Sequence, residues 1–152
     1  MMNQRGVTLI ELIIVMVMIA IGAVLTAPNI GAWLPNYRLR SATRDIVSTM
    51  RLAQMKAVSN NIQYGVAFDP DSQQYQLYRS SGGLVAEGAP STLPMGIQFD
   101  TITIPIDPSL SKPFSRFYAN ATGSDGNIEL KNTKGAQKTI LLSGTTGRIR
   151  VQ

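Results

Sequence analysis

The chain has no cysteine and no histidine. Without cysteine there is no disulfide framework and no thiol chemistry. Without histidine the usual catalytic triads, zinc sites and proton shuttles are gone. No repeat or low-complexity tract is present, and no convincing nucleophile and base stand together. Gly123-x-x-Gly126 is followed by neither Lys-Ser/Thr nor a helix, which excludes a phosphate loop. The reading assigns no catalytic residue, no metal ligand and no cofactor. The length of 152 residues fits one small domain plus an anchor.

Charge is unevenly spread. Residues 38–56 hold five basic side chains against Asp45. Residues 57–111 reverse this, with Arg79 against Asp69, Asp71, Glu87, Asp100 and Asp107. Residues 112–152 hold seven basic side chains against Asp125 and Glu129. A net charge of +5 therefore hides two basic regions around an acidic one. Such asymmetry either steers anionic partners or is an ordinary solvated surface.

What the chain does have is an apolar run over residues 7–27, broken by one charge, Glu11. Its roughly 20 residues suffice to cross about 30 Å of hydrocarbon as a helix. That is longer than a signal-peptide core, and no Ala-x-Ala site follows, so the run reads as a retained membrane helix. An ionised carboxylate in lipid costs on the order of 3 kcal/mol, and a partner offsets that cost. Cutting the chain after Gly6 would create a candidate partner, an α-amine on Val7 one turn before Glu11. The alternative is an interfacial glutamate at the end of a span that begins later.

The residues Gly6-Val7-Thr8-Leu9-Ile10-Glu11-Leu12 resemble the processing site of type IV prepilins and type II secretion pseudopilins. The resemblance implies a leader over residues 1–6, cleavage between Gly6 and Val7 by a prepilin peptidase, and N-methylation of Val7. It also implies an assembly role for Glu11. Val7 departs from the usual Phe at the first mature position, which bears on methylation more than on cleavage. Arg5 alone precedes the span, whereas Arg38, Arg40 and Arg44 follow it, so the positive-inside count favours the opposite orientation. The resemblance implies an N-terminus in the cytoplasm and a periplasmic C-terminal domain, held in the bacterial inner membrane by one span.

Past the span, Pro28 and Pro35 interrupt the helix, and a kink is expected at Pro28. Leu39, Ala42, Ile46, Met50, Ala53 and Ala57 then recur at steps of three and four, the apolar stripe of an amphipathic helix over residues 28–60. Arg40, Arg44, Ser48 and Arg51 fall on another face. Ser59-Asn60-Asn61 ends the pattern. A continuous helix from residue 7 to 59 would reach roughly 80 Å.

Residues 61–152 read as a β-rich domain. Ile62, Tyr64, Val66 and Phe68 alternate as a half-buried strand does. The turn Asp69-Pro70-Asp71-Ser72 leads into a second strand over 74–79, making a hairpin. Turn chemistry explains Asp69 and Asp71 more cheaply than calcium does. Residues 84–113 are expected to hold a short strand or two and a long loop. Strands follow at 114–119, 128–131, 139–143 and 148–151, the last three as an antiparallel meander. The fold class is α+β, a long N-terminal helix packed on small antiparallel sheets.

The chain closes on Gly144-Thr145-Thr146-Gly147-Arg148-Ile149-Arg150-Val151-Gln152. On a strand, Arg148 and Arg150 share the solvent face and Ile149 and Val151 the core face. Two guanidiniums at this spacing lie about 7 Å apart, close to successive phosphates along one strand. Leu39-Arg40-Ser41-Ala42, Arg51-Leu52-Ala53, Lys56-Ala57 and the closing Gly-Arg-x-Arg resemble the GspH/FimT family of minor pseudopilins and pilins. In its DNA-uptake members the closing motif implies DNA contact, which falls here on Gly147, Arg148 and Arg150. Lys131, Lys134 and Lys138 in the adjoining hairpin extend that patch. With no aromatic beside the arginines, contact would be to the phosphate backbone. Alternatively, the arginines simply protect an edge strand.

Three functions follow. The first is a minor pilin or pseudopilin of a type II secretion pseudopilus or type IV pilus. Its partners are other pilins, the prepilin peptidase and the inner-membrane assembly platform. The second adds double-stranded DNA held by the basic C-terminal strand. The third, an anchored periplasmic enzyme, lacks a convincing nucleophile and base.

Overall fold

The computed structural model describes residues 7–26 and 30–152. Gly6 and Pro28, with the cleavage and the kink expected there, lie outside the described residues. The chain divides into two compact units, residues 1–34 and 35–152.

In the first unit, α1 spans Leu9–Thr26. Thr8 caps it. The Thr8 carbonyl accepts the N–H groups of Glu11 and Leu12 at 3.1 and 3.2 Å, and Thr8 Oγ1 lies 3.4 Å from the Glu11 nitrogen. Glu11 thus stands in the first turn, where a carboxylate faces the positive end of the helix dipole. The described side chains of α1 are exposed on every side. Among the described residues no helix is long and apolar enough to cross a membrane. The 18 residues of α1 extend about 27 Å.

The second helix, α2, spans Ile30–Asn60 and runs through Pro35. The expected interruption there is absent. Pro35 lacks the N–H that would reach the Gly31 carbonyl, yet the chain stays helical on both sides of it. Leu39, Ala42, Ile46, Met50, Ala53 and Ala57 are all buried, as their spacing predicts. Thr43 joins them by turning its hydroxyl back to the Leu39 carbonyl at 2.7 Å. Asn61, with φ 52°, ends α2 in the left-handed conformation that asparagine tolerates.

Nine strands follow: β1 (Tyr64–Asp69), β2 (Gln74–Ser80), β3 (Leu84–Thr92), β4 (Ile97–Ile102), β5 (Ile106–Asp107), β6 (Lys112–Phe117), β7 (Gly126–Asn132), β8 (Gln137–Ser143) and β9 (Arg148–Val151). They form two antiparallel sheets, ordered β3-β2-β1-β6-β5 and β4-β7-β8-β9. One core serves both sheets and α2, centred on Ile46, Met50, Phe68, Phe117, Ile128, Leu130 and Ile140. Phe68 of β1 meets Phe99 of β4 edge-on, with ring centres 5.9 Å apart, which joins the two sheets. On the other face of β1, Gly65 makes room for Phe114: any side chain there would strike the Phe114 ring and the Ser115 carbonyl.

Two expectations need correction. Residues 84–113 hold no long loop; β3, β4 and β5 occupy most of them. β3 has no apolar alternation because nearly all its residues are exposed. Its backbone pairing with β2, shifted between Tyr75 and Leu77, makes it a strand. Val151 is not in the core: Ile149 is half-buried against it, but Val151 is 47% exposed. β9 is an edge strand, so Val151 has β8 on one side only.

Polar ties fix the sheet ends. Lys112 donates to Asp69 Oδ2 at 2.6 Å, while Asp69 Oδ1 accepts the backbone N–H groups of Asp71 and Ser72. Buried Asp107 pairs with Arg116 and accepts the Ser109 N–H. Lys56 of α2 pairs with Glu87 of β3.

Candidate functional site

The sequence places its candidate site on β9, and the pairing with β8 sets which way each residue points. Leu141 faces Arg150, Leu142 faces Ile149 and Ser143 faces Arg148. Leu142 is buried, so Ile149 shares its inner face, while Arg148 and Arg150 point outward and are exposed. The outer face also carries Leu141 and Ser143, which line a shallow cavity with the two arginines.

Gly147 is buried and left-handed, with φ 59°. A side chain there would strike the Ala121 carbonyl and the Gln54 amide. That amide donates to the carbonyls of Gly147 at 3.1 Å and Ala121 at 3.2 Å. The glycine therefore brings the end of the β8–β9 turn against α2.

The three lysines of the β7–β8 hairpin are separated. Lys131 lies 3.9 Å from Asp100. Lys134 is in the turn, its N–H bonded to Asn132 Oδ1. Lys138, opposite Leu130, faces inward and lines a cavity with Arg40, Thr43, Arg44 and Val151. A third cavity, of ≈ 550 Å³, is lined by Arg51, Gln54, Thr146 and residues 147–150. The arginines of α2 therefore flank the terminal strand. Sequence reading put them on a separate face and missed this. The only available signal was the basic excess in both segments.

Among the described residues, none of Arg40, Arg44, Arg51, Lys138, Arg148 and Arg150 pairs with a carboxylate. Elsewhere in the domain Glu87 pairs with Lys56 and Asp100 with Lys131. The face around the terminal strand therefore carries positive charge with no salt-bridge partner among the described residues.

A helix laid on antiparallel sheets behind an apolar N-terminal segment is the pilin-like architecture. Residues 1–27 match the prokaryotic N-terminal methylation motif, and residues 42–146 match the family described as Type II transport protein GspH. The chain belongs to the GspH family of pseudopilins. It is 24% identical over 147 residues to type II secretion system protein H of Xanthomonas campestris pv. campestris, spanning 96% of this chain and 82% of that one. Its fold is similar to the minor pseudopilin EpsH of the Vibrio cholerae type 2 secretion system. That match has a TM-score of 0.63 at 12% identity and covers 76% of this chain and 96% of that one. The type IV minor pilin FimU of Pseudomonas aeruginosa is similar too, with TM-score 0.58 at 16% identity, covering 77% and 90%.

Proposed function

We propose that this chain is a minor pseudopilin that assembles with other pilins through its N-terminal helix. The observation that carries the reading is α1 itself. It is apolar around its whole circumference, with Glu11 as its one charge. Such a helix needs lipid or neighbouring helices around it. The apolar run over 7–27 adds the length that α1 alone lacks.

In this reading a prepilin peptidase cuts after Gly6 and methylates Val7. Residues 7–27 hold the chain in the inner membrane by a single pass, with residues 35–152 in the periplasm. An assembly platform moves it into the filament, where Glu11 meets the α-amine of a neighbour. Apolar contact supplies attraction and the charge pair sets axial position. The intact mass of membrane-extracted protein tests the processing. Loss of residues 1–6 plus one methyl group is the expected result. Protein that keeps its first six residues refutes it.

A second reading adds double-stranded DNA on the outer face. Arg148 and Arg150, both exposed and in no salt bridge among the described residues, support it. Gly147 then contributes by fixing the turn rather than by touching phosphate.

A further inference from the structure

We infer that the open edge of β9 takes up an extended acidic segment of another filament subunit as an added β-strand. The inference rests on the assembly reading above and names one surface that assembly uses.

Hydrogen bonding along β9 defines that edge. Thr139 and Gln152 exchange both backbone hydrogen bonds, at 2.9 and 3.2 Å. In an antiparallel ladder such pairs alternate with non-bonded ones. Arg150 and Arg148 therefore bond to Leu141 and Ser143 across the ladder. Ile149 and Val151 direct their N–H and C=O groups away from β8. Among the described residues no strand pairs with β9 on that side. The outward carbonyl of Gly147, at the near end, is already capped by Gln54. Ile149 and Val151 are left as a short row of donors and acceptors at strand spacing.

Two cavities adjoin this end of the sheet. One of ≈ 550 Å³ is lined by Arg51, Gln54 and residues 146–150, and one of ≈ 400 Å³ by Arg40, Thr43, Arg44, Lys138 and Val151. Side chains of α2 line both. An incoming strand would have Arg148 and Arg150 beside its outer face. It would have Arg40, Arg44, Arg51 and Lys138 beside its inner face. Positive charge on a sheet edge rejects basic and like-charged strands while admitting acidic ones. The backbone row decides between the two anionic polymers. A peptide satisfies alternating N–H and C=O groups, whereas duplex DNA leaves them unpaired. The flanking apolar surface of Ile149 and Val151 suits alternating apolar side chains.

The test uses the full chain in non-ionic detergent with a fluorescent peptide of alternating glutamate and valine. Its controls are the same peptide N-methylated on alternate residues and a duplex DNA of similar charge. The chain variants are Val151→Pro and the double variant Arg148→Ala, Arg150→Ala. Proline at 151 removes only an outward N–H, which edge strands tolerate. Expected are peptide binding that falls at least tenfold on N-methylation and on Val151→Pro, and protection of the Ile149 and Val151 amides from hydrogen exchange. Duplex DNA should be indifferent to Val151→Pro. No peptide binding, or binding that N-methylation leaves unchanged, overturns the inference. Because the peptide carries one of these controls, a misfolded variant cannot hide the answer. A subunit that keeps its leader but still binds the peptide would refute the assembly reading and leave the edge intact.

Discussion

The side-chain amide of Gln54, on α2, donates to the carbonyl of Gly147, at the start of β9, over 3.1 Å. The same amide reaches the Ala121 carbonyl at 3.2 Å. One glutamine thereby satisfies two turns that are distant in sequence, and it holds the terminal strand beside the basic face of α2. Gly147 is required because no Cβ fits between them.

Substitution at either end of this contact should loosen the strand. Gln54→Ala leaves two carbonyls without their donor and should cost about 1–3 kcal/mol. Gly147→Ala meets a left-handed backbone, worth about 1–2 kcal/mol, with the clash on Ala121 added. Urea unfolding midpoints check both. A Gly147→Ala midpoint equal to that of the parent chain would contradict the packing described.

Core truncation should be severe on both sides of the helix–sheet contact. Ile46 on α2 and Phe68 on β1 are fully buried. Ile46→Ala should lose about 2–5 kcal/mol and Phe68→Ala about 3–5 kcal/mol. Because both sit in one core, each should lower a single unfolding transition of residues 35–152 instead of splitting it in two.

The acid limb of stability has an identifiable source. The Lys112 ammonium beside Asp69 holds its carboxyl down at about 2, with help from Ser72 and against the effect of burial. An unfolded aspartate titrates near 3.9. The folded value is lower, so the contribution is complete above about pH 4 and fades as pH falls through about 2. Lys112→Met should flatten stability against pH between those limits. Urea midpoints measured across that range in both proteins decide it, and parallel curves would rule out the pair as the source.

Glu11 has two physical roles that substitution separates. Thr8-x-x-Glu11 matches a capping box, and a glutamine at this position keeps that cap. Assembly through a charge pair requires the carboxylate itself. Glu11→Gln should therefore abolish filament incorporation as fully as Glu11→Leu, read by crosslinking to neighbouring pilins. Rescue by glutamine would assign the residue to capping alone.

If the outer face of β9 holds DNA, Arg148→Ala with Arg150→Ala should abolish a gel shift at low salt. The slope of log affinity against log salt should drop by roughly 0.9 for each phosphate contact removed. A parent chain with no shift at low salt ends the DNA reading.

What was legible in the sequence was what short-range periodicity carries. The stripe from Leu39 to Ala57 is buried where its spacing placed it, and Asn61 ends α2 as its side chain allows. The hairpin of β1 and β2 and the β7–β8–β9 meander likewise follow from turn residues between alternating runs. Tertiary structure decided the rest. β3 is exposed on both faces and carries no pattern, so only its backbone partner β2 makes it a strand. Val151 leaves the core because β9 has one neighbour. The basic border of β9 unites residues about a hundred positions apart through a Gln54–Gly147 contact that charge counts along a chain do not encode.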